Sequence, residues 1–277
     1  QAMFSWVGLE ALRIWTEHGP GHTLVGSAAN AAFHAITQRG DYAAAYRAAR
    51  RILALGESRA YEPDTSHARL VVSLLDSWFE PVENSIEESL RAREGLLAGG
   101  DLANAGYTYH QTVVGLLDCG PTLDTCMAQV NAAQAFARRT GTGQTSQWLE
   151  SYQWLSDVLR REGSAAAAEV IPADRYAGNP LVVIHVHLCR AIAAAIFGDP
   201  AEVARHGAVA VRLLPVVTGF SMSALAHPLY GLGLAGQARS ADGDERAALL
   251  TELDDVLRWL GARAADAPDN FLHLLRL

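Results

Sequence analysis

Three groups of side chains in this sequence have the residue types that chemistry requires. The most metal-like is His185-x-His187 with Cys189. On a helix His185 and Cys189 share a face while His187 points elsewhere, and two ligands do not make a zinc site. These residues are therefore read as packed or groove-facing rather than metal-binding. Cys119 and Cys126 straddle a predicted turn. A redox pair is conceivable there, but small buried hydrophobes are the commoner role of such cysteines. Glu80, Glu83, Glu87 and Glu88 cluster early in a predicted helix, where carboxylates favour the positive end of the helix dipole. General acid–base work is the remoter reading. No G-x-S-x-G elbow, G-x-x-x-x-G-K-[ST] loop, kinase Gly-rich loop or H-R-D motif occurs. The residues thus predict no catalytic centre, no cofactor and no metal, and the chain by itself reads as non-enzymatic.

The elements that must hold these side chains are set out by a beat of helix breakers. Gly40-Asp41, Glu80-Pro81, Gly120-Pro121, Gly163-Ser164, Gly198-Asp199 and Gly243-Asp244 recur about every forty residues, a period typical of helical-repeat arrays. In the Gly-Asp copies, Gly supplies a left-handed stop and Asp the next N-cap. The runs between breakers predict helices over about 2–17, 22–39, 41–55, 62–78, 81–98, 101–118, 121–140 and 144–162. The pattern falters over 163–179, an irregular linker and possible hinge. It resumes at 180–197, 200–214, 221–240 and 244–265, with a short helix after Pro268. Pro228 is expected to kink the third of these or delay its start. First helices of successive pairs begin near 22, 62, 101, 144, 180 and 221. The reading is all-α: about six antiparallel helix pairs in a tetratricopeptide-like superhelix, a solenoid. Its organisation is an N-terminal block 1–162, the linker 163–179 and a C-terminal block 180–277, with one continuous solenoid as the alternative.

Composition narrows the function classes. Half of the 277 residues are hydrophobic and only 19% are charged, which argues against a disordered chain. The net charge is −8 and Lys is absent, so nucleic acid is not an expected partner. Three cysteines without a C-x-x-C pair suit a reducing, cytoplasmic setting. The most apolar stretch, 181–197, carries His185, His187 and Arg190 and reads as too short and too polar to span a bilayer, so no membrane partner is expected. Gln1-Ala2-Met3 and Leu274-Leu275-Arg276-Leu277 lack start and capping signals, which predicts a segment of a longer protein.

Trp78-Phe79-Glu80-Pro81, Gly99-Gly100-Asp101-Leu102 and Tyr107-Thr108-Tyr109-His110 carry a family resemblance. So do Leu257-Arg258-Trp259-Leu260 and Ala267-Pro268-Asp269-Asn270-Phe271 near the end. Through these motifs the chain resembles the tetratricopeptide-like region of large bacterial hybrid signalling ATPases. Those proteins join a serine/threonine-kinase-like domain, an AAA/STAND ATPase module and often GAF and sensor-kinase domains. The resemblance implies a non-catalytic interaction and coupling segment whose partner is a protein segment or a neighbouring domain of the parent chain. The family's catalytic motifs lie in other domains, so no catalytic residue carries over.

In helical arrays the first helix of each pair commonly lines the concave surface. The polar and aromatic residues expected there are Asn30, His34, Arg69, Ser73, Tyr107, His110, Gln111, Trp154, His187 and His227. Trp78, Phe79, Tyr107 and Tyr109 read either as hairpin core or as groove anchors, aromatics and Arg being usual interface anchors. The alternative function is a ligand sensor, with a small molecule or peptide in the groove near His34, Arg69 and Tyr107.

Overall fold

The structure is a computed structural model that describes residues 2–142, 147–160, 176 and 178–277. Among the described residues there is no strand. The helices are α1 (Ala2–His18), α2 (Val25–Ala29), α3 (Ala31–Arg39), α4 (Tyr42–Ser58), α5 (Asp64–Asp76), α6 (Val82–Ala98) and α7 (Leu102–Cys119). They continue with α8 (Leu123–Thr140), α9 (Leu149–Arg160), α10 (Pro180–Phe197), α11 (Pro200–Leu213), α12 (Ser223–Ser240), α13 (Gly243–Asp266) and α14 (Pro268–Arg276).

Gly-Asp dipeptides act as two-way punctuation. At Gly40 the backbone is left-handed (φ 63°), and the Asp41 N–H reaches back to the Ala35 carbonyl while its side chain accepts from Ala44 N–H at 2.8 Å. Gly198-Asp199 repeats this with φ 73°, a bond from Asp199 N–H to Ala194 O (2.9 Å) and a cap on Glu202 N–H (3.1 Å). One residue therefore satisfies an orphan carbonyl of the preceding helix and an orphan N–H of the following one. The other breakers work differently. Gly120 is extended, and the cap falls to Thr122, which accepts from Thr125 N–H. Gly243 opens α13 instead of closing α12, so Asp244 lies in the first turn and favours the dipole from there. Gly163-Ser164 and most of 163–179 lie outside the described residues.

The predicted helix over 22–39 is divided. A 3-10 turn at His22–Leu24 leads into α2, and Asn30 separates α2 from α3. The i+3 bond from Phe33 N–H to Asn30 O tightens the chain there. Helix α12 begins at Ser223, two residues later than the pattern predicts, and carries Pro228 inside it.

The chain forms two compact units: residues 1–145 with 218–221, and residues 146–217 with 222–277. In the first, α3 through α8 each pack on the next helix in sequence, and α5 also contacts α2 and α7. Its core is built from small and branched side chains, including Val25, Ala45, Val71, Leu75, Leu96 and Val113, around the buried Trp78. Each such large side chain stabilises by about 1.5–3 kcal/mol when fully buried. In the second unit α9 through α14 pack in sequence, and α10 also contacts α12. Leu234, Val256 and Leu260 close its end. Contrary to the expectation that this stretch is too short and too polar, helix α10 is by length and composition long and apolar enough to cross a membrane, with mean hydropathy 1.9, and 56% of it is buried in the fold.

Candidate peptide-binding face

Helices α2–α3, α5 and α7 open successive pairs in the first unit, and a short non-helical segment of the same unit meets residues of α3, of the turn after α5 and of α7. This is Thr218-Gly219-Phe220-Ser221. Three of its groups are held separately. The Trp78 indole N–H donates to the Gly219 carbonyl at 2.9 Å. The Phe220 ring stacks on Phe33, centroids 5.6 Å apart and planes 19° apart, and meets the His110 ring edge-on at 5.9 Å. The Ser221 hydroxyl donates to Gln111 Oε1 at 2.9 Å.

The last contact has a defined direction. Ser85 Oγ gives its proton to the Val82 carbonyl (2.7 Å), so toward Gln111 it can only accept. The Gln111 amide therefore donates Nε2 to Ser85 at 3.0 Å and presents its oxygen to position 221. Only a donor fits that oxygen. The face is also electrically neutral at its centre: burial lowers His110 to about 4, so its ring is uncharged near neutrality. Gly219 has φ 89°, a left-handed geometry, and a Cβ there would stand 3.0 Å from Phe33 Cδ1 and 3.1 Å from Ile36 Cδ1. Along the segment the face thus meets a glycine and its carbonyl, then an aromatic ring, then a hydroxyl.

Of the residues expected on the concave surface, His110 and Gln111 meet this segment directly. Asn30, between α2 and α3, contacts His67, Nδ2 to Nε2 at 3.3 Å; burial lowers the His67 imidazole from its ordinary value. His34 is half-buried, and its Nδ1 has no hydrogen-bond partner among the described residues. Ser73 is fully buried, donating to Leu70 O and accepting from Ser89 of α6 at 2.9 Å. Arg69 pairs with Glu57 (2.6 Å), Glu88 (3.2 Å) and Glu62 (3.7 Å). Tyr107 is exposed, whereas Tyr109 is buried against Phe136 with the Arg93 guanidinium 3.5 Å over its ring. Trp78 is both core and anchor: its ring is 1% exposed, yet its N–H faces the segment.

The remaining three expected residues lie in the second unit. Trp154 is half-buried, with its indole nitrogen shielded and without a hydrogen-bond partner among the described residues. His187 faces His206 of α11, Nδ1 to Nδ1 at 2.8 Å, and burial with nearby Arg190 and Arg205 lowers both to about 4. His227 stacks on Trp259, centroids 3.7 Å apart, and burial lowers it to about 4. His185 turns to the Tyr152 hydroxyl at 2.9 Å, so the two histidines of His185-x-His187 have different neighbours. Cys126 is buried and raised to about 11, with its thiol 3.6 Å from the Val113 carbonyl. Among the described residues no three His, Cys, Asp or Glu side chains converge on a point where a metal could sit.

Behind the face, Asp76 is 1% exposed at the end of α5, and its Oδ1 has no hydrogen-bond partner among the described residues. Its carboxyl is raised to about 7, by burial first and by Glu88 and Glu80, with Arg50 and the Tyr46 hydroxyl of α4 opposing the rise. Sequence reasoning passed over Phe33, Asp76 and the segment 218–221. Phe33 and Ile36 carry the i, i+3 signal of an apolar stripe. Nothing in Thr-Gly-Phe-Ser shows which surface it meets.

No family model, curated protein or solved structure matches the chain.

Proposed function

We propose that this chain is a non-catalytic, tetratricopeptide-like helical-repeat domain that binds a protein segment on the face formed by α3, the turn after α5, and α7. The observation that carries this reading is the segment Thr218–Ser221, seated there through a carbonyl, a ring and a hydroxyl. First helices that contact one another, as α5 does α2 and α7, suit a stacked-hairpin array with such a face. In this reading the domain is cytoplasmic. It couples the parts of a bacterial signal-transduction ATPase or kinase-like regulator, in keeping with the resemblance carried by 78–81, 99–102 and 107–110. Repeat surfaces of this kind bind extended segments through a few anchors rather than a deep cavity.

The small-molecule alternative draws on His34, Arg69 and Tyr107. Arg69 is committed to three carboxylates and Tyr107 is exposed, so neither favours it. The test is capture of the neighbouring domains of the parent protein by the folded chain. Binding that weakens on His110→Ala or Gln111→Ala supports the reading, and absence of binding to every neighbouring domain refutes it.

A further inference from the structure

We infer that the face of the first unit is a sequence-reading site for a Gly-aromatic-Ser/Thr peptide, and that residues 219–221 are its tethered resident ligand. The inference rests on the interaction reading above and names the chemistry of the occupant. Four observations fix that chemistry. The Trp78 indole requires a backbone carbonyl at the first position. The left-handed φ of Gly219, with Phe33 and Ile36 close behind it, restricts that position to glycine. The slot between Phe33 and His110 takes a flat ring at the second. The Ser85–Gln111 hydrogen-bond relay leaves only an acceptor at the third, so that residue must donate.

A partner with the same tripeptide, its glycine in the same left-handed turn, satisfies the same groups and competes with the chain's own copy. A phosphorylated hydroxyl does not: it has lost its donor and brings negative charge against an amide oxygen and a neutral imidazole. The tether makes the competition unequal. The resident copy is bracketed by the buried Val217 and Met222, so a free peptide sees the face only when that copy is weakened.

The experiment uses the full chain and a fluorescent peptide of residues 216–224, followed by anisotropy. The Phe220→Ala chain should bind this peptide about tenfold or more tightly than the unaltered chain does. Peptides carrying Phe220→Ala, Ser221→Ala or phosphoserine at 221 should lose that binding. Circular dichroism verifies folding; if Phe220→Ala does not fold, Ser221→Ala, which removes one hydrogen bond only, takes its place under the same criteria. No binding to a folded, weakened chain overturns the inference. So does equal binding by altered and unaltered chains, or binding indifferent to the peptide's Phe and Ser. Capture of a neighbouring domain alongside failure of the peptide overturns the ligand chemistry and leaves the interaction reading standing. Peptide binding without domain capture does the reverse.

Discussion

Replacing Asp76 by Asn should stabilise the protein in alkaline solution and leave it nearly unchanged in acid. The carboxyl is almost fully buried, and its folded value of about 7 stands well above the ordinary 3.8. Between those limits the native state binds a proton that the unfolded chain has released. Stability from this group is therefore complete below about pH 4 and falls as pH rises through 7. A separation of about three pH units corresponds to about 4 kcal/mol at 1.36 kcal/mol per unit, which is the ceiling on what the substitution recovers. Asn keeps the shape, and the Tyr46 hydroxyl keeps its bond to Glu80 Oε1 (3.2 Å). Arg50, its main opposing charge, is on an exposed residue and loses little. We expect a gain of about 2–4 kcal/mol at pH 8 and under about 0.5 kcal/mol at pH 4. Urea unfolding of both proteins at pH 4, 6 and 8 measures it, because the difference between them cancels every other titrating group. A pH-independent difference would refute the burial of Asp76 as the source of the shift.

The histidines push the other way. His110, His187, His206 and His227 are all lowered to about 4, so the unfolded chain takes up protons first, and the stability these groups contribute, present above about pH 6.5, is lost as pH falls toward 4; His187→Gln should flatten that loss in acid unfolding curves. Phe220→Ala removes a half-buried ring stacked on Phe33 and should cost about 2 kcal/mol, below the range for fully buried Phe, read as a lower urea midpoint. Gly233→Ala would place a Cβ 2.5 Å from the Ala204 Cα, forcing α12 off α11, and should cost about 3 kcal/mol or more. Gly261→Ala in α13 meets nothing within 4 Å and should instead stabilise by about 0.5–1 kcal/mol, so thermal melts of the two variants should move in opposite directions.

The all-helical architecture was legible because its signals are local. Gly40-Asp41 and Gly198-Asp199 act within a few residues of themselves, and a left-handed glycine followed by a capping aspartate needs no distant partner. Helix ends marked by Pro180, Pro200 and Thr122 are readable for the same reason. Where a breaker's role depends on its surroundings, as at Gly243, the backbone is left-handed as predicted (φ 54°), but the residue opens α13 rather than closing α12.

The candidate site was only half legible. His110 and Gln111 of α7, both expected in a groove, meet the segment 218–221, one by its ring and one by its amide oxygen. Arg69 and Ser73 also lie on a first helix, yet carboxylates at 57, 62 and 88 and the hydroxyl of Ser89 draw them in. The sequence by itself determined the helices and most of their punctuation. Only the tertiary structure brought Gly219, Phe220 and Ser221 to Trp78, Phe33 and Gln111, over separations of 141 residues for Trp78 and 110 for Gln111. Helix signals reach a turn or two along the chain. Contacts of that separation are decided by how packed helices close space, which no local pattern encodes.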